Sequence, residues 1–290
     1  ADNAGVTPPQ PNVWANPLLR SLVVDEARAS KTMVDILQGY GAVPDPRLTL
    51  ILSKSQAWVQ GKDGAEEWKG VPNGLPVTEL SLPEYDNNHN SCIWGYMWGY
   101  DWNSAEKGDN ISKPKTDADF TPLGLMNYSE VCFLKAEAAL RGWQGAGDAK
   151  TNYENGIRAS FEEMRANAPK DSYSKSNDDK YISEGNVAWN NADSFEAKLE
   201  KIITQKWIGI YPNSEEAWAE FRRTGYPKLN PVKQSLEPTI NPKNGEFIKK
   251  LRYVDNELSN NKEYATDPTL NGGQGDGLSV RVWWDTARYK

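Results

Sequence analysis

A single histidine, His89, stands in the 290 residues, and its scarcity excludes more chemistry than any motif supplies. Ser/His/Asp relays, Cys/His relays and multi-His zinc sites all need imidazole beside other named groups. His89 lies in the polar, turn-like run "YDNNHNS" with no nucleophile near it in sequence, so it reads as a loop residue and no catalytic residue is assigned. Cysteine is nearly as scarce. Cys92 and Cys132 are far apart and outside any ligand spacing, which argues against a metal site or a disulfide framework. The runs "DNNHN", "SNDDK" and "NGGQGDG" offer clustered oxygens to calcium, yet none has the 12-residue EF-hand spacing. No cofactor is expected, and calcium is an option without support.

Basic charge is thin as well. The net charge is −7, and "KPK" and "IKK" are the densest basic runs, too short for a phosphate-binding stripe, so no nucleic-acid partner is expected. No segment approaches the roughly 18 to 20 apolar residues of a helical membrane span. The first residues, "ADNAGVTPPQPN", have neither a charged n-region nor an apolar h-region. Phenylalanine is rarer than tryptophan, 6 against 12. Trp joins a flat apolar face to a polar edge, so the surplus points to surfaces that are half wet and half dry, as in sugar binding or protein contact.

Residues 1–17, with four prolines, read as an extended lead-in. "SKTMVDILQG" predicts a helix with Ser30 as N-cap, Met33, Val34 and Leu37 on one face and Gly39 as its stop. "RLTLILS" alternates like a strand. Residues 60–119 are loop-rich, and long connections of this kind often carry function.

The clearest helical pattern is "NYSEVCFLKAEAALRG", with Asn127 and Glu130 at capping-box spacing. A Gly-containing turn leads to "DAKTNYENGIRASFEEMRA", so 127–166 predicts an antiparallel helical hairpin. "FEAKLEKIITQKWIGI" and "EEAWAEFRR" predict a second hairpin over 195–223, with Ser214 as N-cap. "FRRTGYP" reads as a helix end: Arg222 and Arg223 suit the carboxyl end of the dipole, and Gly225 and Pro227 stop the helix. "LSVRVWW" alternates like a terminal strand, with Trp283, Trp284 and Asp285 packed. The fold class is therefore mainly α, with tetratricopeptide-like hairpins, long irregular loops and a few short strands.

Taken in order, "SKTMVDILQGYGAVPDPRL", "MNYSEVCFLKAEAALRGW", "GDAKTNYENGIRASFEEM", "KIITQKWIGIYPNSEEAWAEFRRTGYPKL", "RYVDNELSNNKEY" and "VWWD" resemble the carboxy-terminal half of a SusD/RagB-family nutrient-binding lipoprotein. The resemblance covers nearly all of 1–290 as a single region; the family's amino-terminal half, with its lipidation cysteine, is not in this sequence. It implies a non-enzymatic protein on the extracellular face of a Bacteroidetes outer membrane, held by a lipid anchor absent from this chain. Such a protein captures glycans or peptides and passes them to a TonB-dependent, SusC-like transporter.

The run "IWGYMWGYDW" places an aromatic residue at every even position from Trp94 to Trp102, so an extended chain would show five rings on one face. Some of these rings are expected to pack on the helices. Trp98, Tyr100 and Trp102 are the ligand candidates, with Asp101 and Asn103 hydrogen-bonding hydroxyls and Trp58 and Trp68 next in line. A glycosidase would need two acids about 5 to 10 Å apart; Glu84, Asp86 and Asp101 lie near the run, but surface acids are common among 40 of them. Glycan capture without cleavage is the expected function, and a peptide- or protein-binding scaffold is the alternative.

Overall fold

The computed structural model describes residues 3–6, 28–93, 95–96, 102–109 and 123–285. The chain is mostly helical, and the hairpins expected from the periodicity are present. In chain order the principal elements are β1 (Ala4–Val6), α1 (Lys31–Gly39), β2 (Leu123–Met126), α2 (Tyr128–Leu140), α3 (Ala149–Arg165), α4 (Phe195–Gly209) and α5 (Ser214–Thr224). β1 and β2 pair antiparallel as a two-stranded ribbon, so the first residues open with a strand where an extended lead-in was expected. The rest of that lead-in lies outside the described residues.

Local chemistry sets the helix ends. Ser30 accepts a hydrogen bond from Met33 N and starts α1, as its sequence predicts. Asp148 starts α3 by accepting from Thr151 N, after Gly142, Gly145 and Gly147 have turned the chain with φ near +80°. Gly225 ends α5 in the left-handed region at φ 79°. Two caps differ from expectation. Asn127 makes no side-chain cap; Asn3 Oδ1 accepts from Tyr128 N and the Glu163 carboxylate from Ser129 N and Oγ, so the start of α2 is capped by partners distant in sequence. At α5 the cap is Asn213, not Ser214.

Helices α2, α3 and α4 share one core of Phe133, Tyr153, Ile157, Phe161, Leu199, Ile202 and Ile203. Gly156 permits the close approach of α3 to α2, because a Cβ there would stand 2.7 Å from the Phe133 ring. Charges pin the second hairpin to the first. Lys206, buried in α4, bonds Glu216 at 2.7 Å and faces Glu130 and Glu220, while Arg223 forms a two-pronged pair with Glu137, each bond 2.7 Å. Arg223 is therefore structural, as its place at the helix end predicts.

A second core gathers α1, residues 48–52 and Tyr96 at the carboxyl ends of α3 and α4, where Met164 and Ile208 meet it. Arg47 joins the two. Fully buried, it bonds Asp45, Ser160 of α3 and Gln205 of α4, and Tyr181 O–H closes the network on Asp45.

Two expected strands are absent. "RLTLILS" contains the helical turn Leu48–Ile51, because Leu48, Leu50 and Ile51 all bury into the second core and leave no solvent face for alternation to serve. "LSVRVWW" is irregular: Trp283 is 93% exposed and Trp284 39%, so the expected packed terminal strand is corrected to an open aromatic segment.

Candidate functional site

The loop layer is built on α1. Lys31 N donates to Val71 O and Val71 N to Ala29 O, so residues 69–71 run alongside the start of α1, and Ser91 ties a third segment to both. Gly70 makes this possible, since a Cβ there would fall 2.5 Å from Lys31 Cα. Ser55 fixes the preceding stretch, donating its N–H to Glu67 O at 2.9 Å and its hydroxyl to Glu66 O. Between these anchors Trp68 rests one side on the second core.

The other side of Trp68 lines a cleft of about 290 Å³. Tyr85 also lines it, on a short turn that Arg28 clamps by donating to Tyr85 O at 2.5 Å and Leu80 O at 3.3 Å. Lys31, Asp35 and Gln38 of α1 line it too. They recur at i, i+4 and i+7 on the polar face of α1, away from Met33 and Leu37, with the buried Val34 beside them at the cleft. Lys31 bonds Asp35 at 2.7 Å, and Asn230 reaches the same carboxylate at 2.9 Å. Gln38 makes no hydrogen bond among the described residues and is exposed, so its amide is open to a ligand. Two aromatic rings with interleaved amide, carboxylate and ammonium groups can stack a sugar ring and bond its hydroxyls.

The other expected residues are dispersed. Trp58 packs with Val59 and Ala105 in a separate small cluster, with Lys54 Nζ 4.9 Å from its ring centre. Asn103 is buried; its carboxamide accepts from Lys54 N at 2.7 Å and donates to Leu52 O and Thr49 O. Both donors are spent on backbone, so Asn103 is corrected from a hydroxyl ligand to a brace. Trp98, Tyr100 and Asp101 lie outside the described residues. Trp102 begins a short 3-10 turn, Trp102–Ser104, so the extended run does not continue through it. Tyr96, from the same run, is in the core, and Gly95 lies so close to Leu50 that a Cβ would meet its backbone at 2.3 Å.

Asp35, Glu66 and Glu84 line the cleft, and Asp86 lies just beyond Tyr85 in sequence. Asp86 accepts from His89 N and contacts its ring at 2.8 Å; burial favours the protonated acid, but the His89 hydrogen bonds outweigh it and hold the carboxyl below the usual range. An acid held ionised is the wrong form for protonating a leaving group. Among the described residues no cluster of three or more His, Cys, Asp or Glu is placed to hold a metal ion, and no helix is long and apolar enough to cross a membrane.

A family model described as SusD-like, "Susd and RagB outer membrane lipoprotein", matches residues 1–285. The chain belongs to the SusD-like family. Solved relatives agree. A SusD homologue from Bacteroides vulgatus is 29% identical at a TM-score of 0.65, over 95% of this chain and 52% of its own. A chitin-binding SusD homologue from Flavobacterium johnsoniae is 31% identical at 0.60, over 89% of this chain and 49% of its own. One from Bacteroides thetaiotaomicron is 29% identical at 0.61, over 89% and 52%. This SusD-like chain thus spans about half the length of the solved relatives it matches. No curated protein matches it.

Tyr85, Gln38, Lys31 and Asp35 were not among the residues expected from sequence. The polar i, i+4, i+7 face of α1 was the available signal for three of them. Tyr85 had none beyond its place in a Pro-containing turn.

Proposed function

We propose that this chain captures oligosaccharide at the extracellular face of an outer membrane, without cleaving it, for delivery to a SusC-like, TonB-dependent transporter. The observation that carries the proposal is the Trp68–Tyr85 cleft, on a chain whose family is that of outer-membrane lipoproteins. Trp68 and Tyr85 both line this cleft of about 290 Å³, together with polar groups of α1. One relative binds chitin, which makes chitin fragments the first ligands to try.

The test is titration calorimetry of the full chain with a panel of neutral oligosaccharides, chitin fragments included, on wild type and on W68A and Y85A. Each variant is expected to lose at least tenfold in affinity while keeping its helical circular dichroism, and chromatography of the ligand should show it intact. Unchanged affinity in both variants would remove the cleft from the site; shortened sugar would replace capture with hydrolysis.

Peptide capture is the second reading, favoured by an apolar groove of about 380 Å³ that includes Leu75, Val77, Leu236, Ile240 and Ile248. Affinity for apolar peptides in a chain silent to every sugar would favour it.

A further inference from the structure

A different cavity, of about 820 Å³, opens between the end of α5 and the carboxy-terminal segment, with Phe221, Tyr226 and Phe247 among its walls. Three cations line it: Lys228, Lys249 and Arg281. Lys228 is paired with Glu200 at 2.9 Å and Arg281 with Asp285 at 2.6 Å. Lys249 differs. Among the described residues it has no carboxylate within 4.0 Å and its ammonium donates no hydrogen bond; what it has is the face of Phe221, 4.5 Å from the ring centre. Burial lowers its pKa, Asp285 works in the other sense, and Arg281 and Arg222 lower it further. A half-buried ammonium with three donors and two guanidinium neighbours is a place where an anion would be held.

The acids of the same cavity narrow the choice of anion. Glu246 accepts from Asn241 N at 2.7 Å and from Asn244 at 3.2 Å, and Glu196 lies 3.5 Å from the Tyr226 hydroxyl. Two fixed carboxylates would repel a dense anion such as a phosphorylated headgroup. They tolerate charge spread at one carboxylate per sugar ring, as along a uronic-acid chain, and the aromatic walls and the volume suit such a body.

We propose that this cavity is a second saccharide subsite, selective for a sugar bearing a carboxylate, with Lys249 as its charge partner. The assignment rests on the glycan-capture function proposed above. It makes the SusD-like chain a binder of acidic glycans at a place separate from the Trp68 cleft.

The experiment is calorimetry of the full chain with an oligogalacturonide and with the neutral galacto-oligosaccharide of equal length. The proteins are wild type, K249M, K249R and W68A, each checked by thermal melting. Expected is oligogalacturonide binding that falls at least tenfold in K249M, is retained in K249R, which keeps the charge, and is unchanged in W68A. Oligogalacturonide affinity equal in wild type and K249M, or no oligogalacturonide binding, would overturn the subsite. So would full displacement by millimolar sulfate, which would reduce it to a bare anion site. Neutral-sugar binding lost in W68A and kept in K249M leaves the capture function standing whatever the acidic sugar does; Lys249-dependent binding without any neutral binding would sustain the subsite while the Trp68 cleft fell.

Discussion

The helical scaffold and the loop layer are held together by different physics. In the scaffold, side chains do the joining: a shared apolar core, then Lys206 and Arg223 spending their charge on Glu130, Glu137, Glu216 and Glu220. In the loop layer the joining is done largely by backbone, with residues 28–31, 69–71 and 90–92 bridged to one another and Gly70 and Gly95 allowing main chain to lie flush on main chain. The difference has a consequence for function. Where backbone carries the structure, side chains such as Gln38, Tyr85 and the outer side of Trp68 are left for a ligand; where side chains carry it, few remain.

Arg47 is where the two regimes meet, and removing its partner is the strongest way to break the comparison. D45A leaves a guanidinium buried without its carboxylate, still bonded to Ser160 and Gln205. Breaking a buried pair on one side costs about 3–5 kcal/mol. Urea unfolding of D45A should show a loss of that size, with the loop layer released before the helices. Equal loosening of both regions, read by hydrogen exchange, would mean that they are one cooperative unit.

The scaffold was legible in the sequence because helical burial is periodic. Ser30, Met33, Val34 and Leu37 stand in α1 where their spacing predicts, and Gly225 ends α5 as its type predicts. The loop layer was legible only in part. Trp68 stood out by residue type, but no local pattern announces that Val71 bridges Ser30, or that Asn3 caps a helix 125 residues away. "RLTLILS" misleads for a related reason: alternation signals a strand only where one face meets water, and Leu48, Leu50 and Ile51 face the second core. In the aromatic run the Tyr96 ring is taken by the core, while beside the run Asn103 misleads, because its amide holds three backbone groups.

G70A sharpens the comparison from the loop side. An added methyl 2.5 Å from Lys31 Cα must push residues 69–71 away from α1, an overpacking cost of about 1–3 kcal/mol. Because Trp68 sits two residues before, its ring should shift with the loop. The expected outcome is a drop in oligosaccharide affinity larger than the stability loss alone explains, measured by calorimetry well below the melting temperature. Full affinity in G70A would show that Trp68 is placed by its contact with the core and not by the bridge to α1.

E137Q tests the scaffold side, with a smaller effect and a definite pH dependence. Burial by itself would raise the Glu137 carboxyl, but Arg223 and then Arg141 outweigh it and hold it below the ordinary glutamate range. A carboxylate whose folded value is depressed stabilises the fold fully above its unfolded value, about 4.3, and loses that contribution as pH falls through the lower folded value. At pH 7 the substitution should cost about 1–2 kcal/mol, less than for a fully buried pair because the Arg223 side chain is 37% exposed and keeps Glu220 at 2.6 Å. As pH falls from the unfolded value through the lower folded value, the gap between E137Q and wild type should close, since below the folded value both present a neutral side chain to Arg223. A gap unchanged from pH 7 to below the folded value would assign the loss to hydrogen-bond geometry instead of charge, and the scaffold would then be held by shape, as the loop layer is.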